Sequence, residues 1–74
     1  MTKLPIISGD RLVKALRNFG YEIDHHTGSH IFLRNKRPPY RRLTVPKHIE
    51  IAKGTLKSIL RQSGITVEEL IENL

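Results

Sequence analysis

A chain of 74 residues with a net charge of +6 and no cysteine has room for one small core, held without disulfides or a thiolate metal site. No apolar run approaches the roughly 20 residues of a membrane-spanning helix, and Leu4-Pro5-Ile6-Ile7 is too short for the apolar centre of a signal peptide, so a soluble, cytoplasmic protein is expected. The charge is unevenly placed: residues 30–62 carry nine basic side chains against Glu50 alone, while residues 63–74 are net −3. Such a basic block points first to nucleic acid and second to an acidic protein.

Residues 1–7 read as a lead-in, with Pro5 opposing helix. Ser8 is a good N-cap and Asp10 suits the positive end of a helix. Leu12, Val13, Leu16 and Phe19 then share one helical face, and Gly20 supplies a left-handed stop. These signals predict a first helix over 9–19. Tyr21–His26 is β-prone, with Tyr21 and Ile23 facing inward. Thr27-Gly28 is the turn, Gly28 being expected at positive φ. Ser29–Arg34 is the second strand. Alternation puts Ile31 and Leu33 on one face and His30, Phe32 and Arg34 on the other.

Asn35–Tyr40 is a basic loop whose Pro38-Pro39 pair favours an extended or turning path. Arg41–Val45 is the third strand, with Leu43 and Val45 inward, Arg42 and Thr44 outward, and Pro46 at its end. Lys47–Ala52 connects to a second helix, for which Thr55 is the expected N-cap, with a start a residue or two earlier as the alternative. Leu56, Ile59 and Leu60 form its apolar stripe, and Gly64 closes it. Thr66 and Glu69 read as a capping box opening a short third helix. The order α-β-β-β-α within one domain, 1–74, predicts an α+β fold. A three-stranded antiparallel sheet would carry two helices on one face, with a short C-terminal helix.

The opposite face would then present His30, Phe32, Arg34, Arg42 and Thr44. Phe32 is placed to stack on an unpaired base or to sit under a protein partner. Arg34, Lys36, Arg37, Arg41 and Arg42 contain no acid among them and suit phosphate contacts. Lys53-Gly54-Thr55 stands where helix N–H groups face an anion. His30 is the sharpest candidate, because an imidazole both takes and gives protons near neutral pH. RNA carries its own nucleophile, the 2′-hydroxyl, so a histidine beside the phosphate is sufficient without metal or cofactor. The products would be a 2′,3′-cyclic phosphate and a 5′-hydroxyl. His25 and His26 lie near the end of the first strand, close to His30 across the hairpin, as a possible second acid or orienter. His48, just after the third strand, is another candidate.

Taken in order, Asn18-Phe19-Gly20-Tyr21, Gly28-Ser29-His30, Thr44-Val45-Pro46-Lys47-His48 and Lys53 through Ile65 resemble the HicA family of toxins. The resemblance implies a double-stranded-RNA-binding-like fold and a ribosome-independent endoribonuclease that cleaves mRNA. It makes His30 the catalytic residue and a HicB-like antitoxin, acidic where it meets the toxin, the partner. Ser29, Phe32, Arg34, Lys36, Arg37, Arg41, Arg42, His48 and Lys53 are the expected RNA contacts. Two departures stand out. Many members carry a second histidine where this chain has Ile31, and the Asn35–Tyr40 loop is unusually basic. The rival readings are a non-catalytic RNA-binding module of similar fold and a domain whose basic face binds only an acidic protein.

Overall fold

The computed structural model describes residues 3–74; the lead-in expected over residues 1–7 is therefore seen from Lys3 onward, its first two residues lying outside the described part. The elements run α1 (Gly9–Arg17), β1 (Tyr21–His26), β2 (His30–Asn35), β3 (Arg42–Pro46), α2 (Lys53–Ser63) and α3 (Val67–Glu72). The strands form one antiparallel sheet in the order β1-β2-β3, with β2 at the centre. Leu12 and Leu16 of α1, Leu33, Val45, Leu56 of α2 and Leu70 of α3 are the most deeply buried side chains of a single apolar cluster. Both main helices therefore cover the inward residues of the sheet, as the order of elements implies. Among the described residues, no helix is long and apolar enough to cross a membrane.

Local chemistry accounts for most boundaries. The Ser8 hydroxyl accepts from the Arg11 N–H at 3.1 Å and starts α1. The helix is two residues shorter than its apolar face suggests. Asn18, Phe19 and Gly20 donate to carbonyls three residues back, at 3.1, 2.9 and 3.2 Å, so the last turn tightens and leaves the α-helical ladder. Gly20 then reverses the chain at φ 93°, and Gly64 does the same after α2 at φ 74°. The Thr66–Glu69 capping box forms in both directions, at 2.9 and 3.1 Å. Asn73 beyond α3 accepts from the Asn18 side chain at 3.0 Å and ties the C-terminal turn to the end of α1.

Three expectations need correction. Thr55 is not the N-cap of α2: the helix starts at Lys53 with Ala52 as a cap that offers no side chain. Ile51, buried and held by its N–H to the Ile7 carbonyl at 2.9 Å, fixes the chain there, so the ladder begins at once with Leu56 N–H on Ala52 O. Ile23 is 41% exposed. It lies opposite Leu33 on the inner side, but β1 is an outer strand of which only Tyr21 is buried. Strands β2 and β3 each begin and end one residue later than alternation suggests, because the hairpin closes on the Thr27–His30 pair. The prolines form a turn, with Tyr40 N–H donating to Arg37 O at 2.8 Å around a cis Pro38-Pro39 bond.

Tyr21 is buried, and its hydroxyl has no partner among the described residues. A buried hydroxyl without a hydrogen bond costs its desolvation. Tyr21→Phe is therefore expected to raise unfolding stability by about 1 kcal/mol in a urea titration. A fall of that size would mean that the hydroxyl is bound in solution.

Candidate active site and nucleic-acid face

His30 is set by the turn that precedes it. The Thr27 N–H donates to the His30 carbonyl at 2.9 Å, and the Thr27 hydroxyl accepts from the His30 N–H at 3.1 Å and the Ser29 N–H at 3.4 Å. A threonine side chain thus closes a turn for which glycine at positive φ was expected. Gly28 does not adopt positive φ, and a Cβ there would meet nothing within 4 Å. The Ser29 hydroxyl lies 2.9 Å from His30 Nδ1 and fixes the ring. The Lys47 N–H donates to the Ser29 carbonyl at 2.8 Å, and the His48 carbonyl accepts from the Gly9 N–H at 2.9 Å. The catalytic candidate is therefore braced through Ser29 and the Lys47-His48 segment to the first residue of α1.

The outer face is arranged in rows across the strands. His30 pairs with Pro46; Phe32 lies between His25 and Thr44; Arg34 lies between Glu22 and Arg42. The half-buried Phe32 ring is stacked on His25 at 4.4 Å between centroids and 11° between planes, and stands 6.5 Å from the His30 ring, tilted by 42°. Arg34 and Arg42 are like charges directly opposed, an arrangement unfavourable in a sheet unless an anion joins them. Thr44 opens onto a groove shared with Gly54, Thr55, Ser58 and Gln62 of α2. The groove runs along α2 from Gly54 to Gln62, and Lys53, the first residue of that helix, is exposed.

Not every expected contact gathers here. Arg37 and Arg41 lie past the other end of β2, about 17 Å from His30 at the usual rise per residue, in a cleft with Phe19, Tyr21, Pro38 and Pro39. Arg41 Nη1 donates to the Gln62 carbonyl at 3.2 Å, at the C-terminal end of α2. Lys36 is exposed in the same loop, its N–H on the Gly20 carbonyl at 2.9 Å. His48 is exposed in the bracing segment. Ile31, where the resemblance leads one to expect histidine, is buried on the inner side. Among the described residues, no three His, Asp or Glu side chains converge to hold a metal ion.

Two features were missed from the sequence, of which only the first has a local signal. The Thr27 hydroxyl was legible as the threonine signature of a side-chain-closed turn. The register shift in β1 was not: Ile23 opposes Leu33 while His25 opposes Phe32, so Asp24 is an extra residue.

No curated protein matches the chain in sequence. A family model described as the HicA toxin of bacterial toxin–antitoxin systems matches residues 9–65. That span runs from the first residue of α1 to the residue after Gly64, and takes in the whole sheet, the His30 turn and α2. The chain therefore belongs to the HicA toxin family and is the toxin of a toxin–antitoxin system.

Proposed function

We propose that this toxin is a metal-independent endoribonuclease that cleaves mRNA with His30, and that a HicB-like antitoxin neutralises it by covering the same face. The observation that carries the reading is the fixed, exposed imidazole of His30, with Ser29 Oγ 2.9 Å from its Nδ1. When Nδ1–H donates to that hydroxyl, Nε2 is left with its lone pair toward solvent, ready to take a proton from a 2′-hydroxyl. Arg34 and Arg42 supply fixed positive charge on the same face, and a bridging phosphate relieves their mutual repulsion. Phe32 offers a stacking surface for a base. Ser29, His48 and Lys53 border the path such a strand would take from the turn toward α2. Lys36, Arg37 and Arg41 extend it past the far end of β2.

Purified toxin incubated with a long single-stranded RNA in EDTA is expected to produce fragments ending in 2′,3′-cyclic phosphate and 5′-hydroxyl. Added antitoxin should stop the reaction. Intact RNA that nevertheless binds in a salt-dependent way would replace the nuclease with a non-catalytic binding module. The absence of both binding and cleavage would leave a domain that recognises only an acidic protein.

A further inference from the structure

We propose that His25 is a second catalytic group of this site, the general acid that protonates the departing 5′-oxygen, and that Asp24 positions it. The proposal rests on the ribonuclease reading above.

The argument starts from the register of β1. In an unbroken strand, neighbouring side chains point to opposite faces. Counting on from Ile23, which opposes Leu33 on the inner side, His25 would then point inward as well. The extra residue at Asp24 breaks that count and sets His25 opposite Phe32 on the outer face. Such bulges re-aim side chains, and they recur beside active sites. Its effect here is specific: Asp24 and His25, adjacent in sequence, meet on one side, with Asp24 Oδ2 3.2 Å from His25 Nδ1.

That contact does not serve stability. His25 is 61% and Asp24 38% exposed, and exposed pairs of this kind contribute little to folding. What the contact does is orient the ring. Nδ1 is held by the carboxylate, the ring is laid flat on Phe32 at 4.4 Å, and Nε2 is left for another partner. The two best-fixed imidazoles on this face thus each have Nδ1 engaged, one by Ser29 and one by Asp24.

The spacing suits a shared phosphate. His25 opposes Phe32, two residues after His30 on β2. The histidines are therefore diagonal cross-strand neighbours, whose Cα atoms lie about 7–8 Å apart. In an in-line displacement at phosphorus the attacking and leaving oxygens lie on opposite sides. Two imidazoles flanking one phosphate meet them separately. His30 Nε2 takes the proton of the 2′-hydroxyl as the 2′-oxygen bonds to phosphorus. The bond from phosphorus to the 5′-oxygen breaks, and that oxygen takes the proton held on His25 Nε2. Exchange with water then returns the proton that His25 gave and removes the one that His30 took. Arg34 and Arg42 cannot replace His25 in this step, because a guanidinium does not release its proton. His26 opposes Ile31, whose side chain is on the inner side, so it is not on this face.

The test uses the full chain and two RNAs. One is an ordinary RNA; the other carries sulfur in place of the bridging 5′-oxygen at a cleavage position mapped on the first. A thiolate leaves without protonation, so the second RNA needs no general acid. His25→Ala is expected to cleave the ordinary RNA about 100-fold more slowly and to cleave the thio-substituted RNA at close to the parent rate. Asp24→Asn should slow the ordinary RNA about tenfold and leave the thio-substituted RNA unaffected, a split that loss of packing or RNA affinity would not produce. His26→Ala should match the parent on both. Parent-like cleavage of ordinary RNA by His25→Ala would overturn the proposal and leave the role of His30 standing. Equal slowing on both RNAs would overturn it in favour of a stacking or binding role. Failure of the parent toxin to cleave either RNA would overturn the ribonuclease reading, and this proposal with it.

Discussion

His30→Ala is expected to slow RNA cleavage by about 10³-fold, the middle of the range for removing one general acid–base group, or about 4 kcal/mol of transition-state stabilisation. The ring is exposed and, among the described residues, its one side-chain hydrogen bond is with Ser29, so the substitution leaves the core and the hairpin intact. The turn is closed by the backbone of His30 and the Thr27 hydroxyl, neither of which depends on the imidazole. RNA affinity should also survive, because Arg34 and Arg42 remain opposed on the same face. The effect should therefore fall on kcat and not on KM. Single-turnover cleavage beside an RNA-binding titration separates the two, and induced expression of the variant should no longer arrest growth. A variant that cleaves at the parent rate would move the chemistry to another histidine, with His48 next in line.

Gly9→Ala is expected to destabilise the fold by more than about 3 kcal/mol, a large part of the stability available to a domain of this size. At an ordinary early helical position, alanine in place of glycine is favourable, so the sign alone is informative. Here a Cβ would overlap the Pro46 carbonyl oxygen and press on the Lys47 Cα. These are backbone atoms at the end of β3, and they cannot swing aside as a flexible side chain would. The same segment accepts the Gly9 N–H at His48 and holds Ser29 through Lys47. Relief of the overlap therefore moves the support of His30. A urea titration should show an early midpoint, and whatever remains folded should cleave RNA poorly. An unchanged midpoint would mean that the α1 N-terminus stands farther from β3 than described.

The parts of this protein legible in its sequence are those governed by local rules. Ser8, Gly20, Gly64 and the Thr66–Glu69 pair each act within a few residues, and each stands where its chemistry predicts. Alternation correctly separated Ile31 and Leu33 from His30 and Phe32, because β2 is central and one of its faces is covered. It failed in β1. Ile23 has the right side but lacks cover, since an outer strand shares less of the helical layer. The extra residue at Asp24 leaves no trace in composition and is seen only in the pairing of β1 with β2. The N-cap of α2 was misplaced for a related reason: burial of Ile51 and Leu56 outweighed the capping preference of Thr55. The motif around His30 was visible, but its brace was not. Gly9, Lys47 and Ser29 are brought together only by the tertiary fold.

The irregularity in β1 has one more consequence, for self-association. A three-stranded sheet leaves two outer strands, and a straight outer strand exposes a row of unpaired backbone groups onto which another molecule can add. In β1 that row is interrupted at Asp24, and a bulge bends and twists the strand away from the flat geometry that intermolecular pairing needs. Glu22, Asp24, His25 and His26 place ionisable side chains along the same edge. The residue that turns His25 toward the open face thus also breaks the edge along which a second sheet would add.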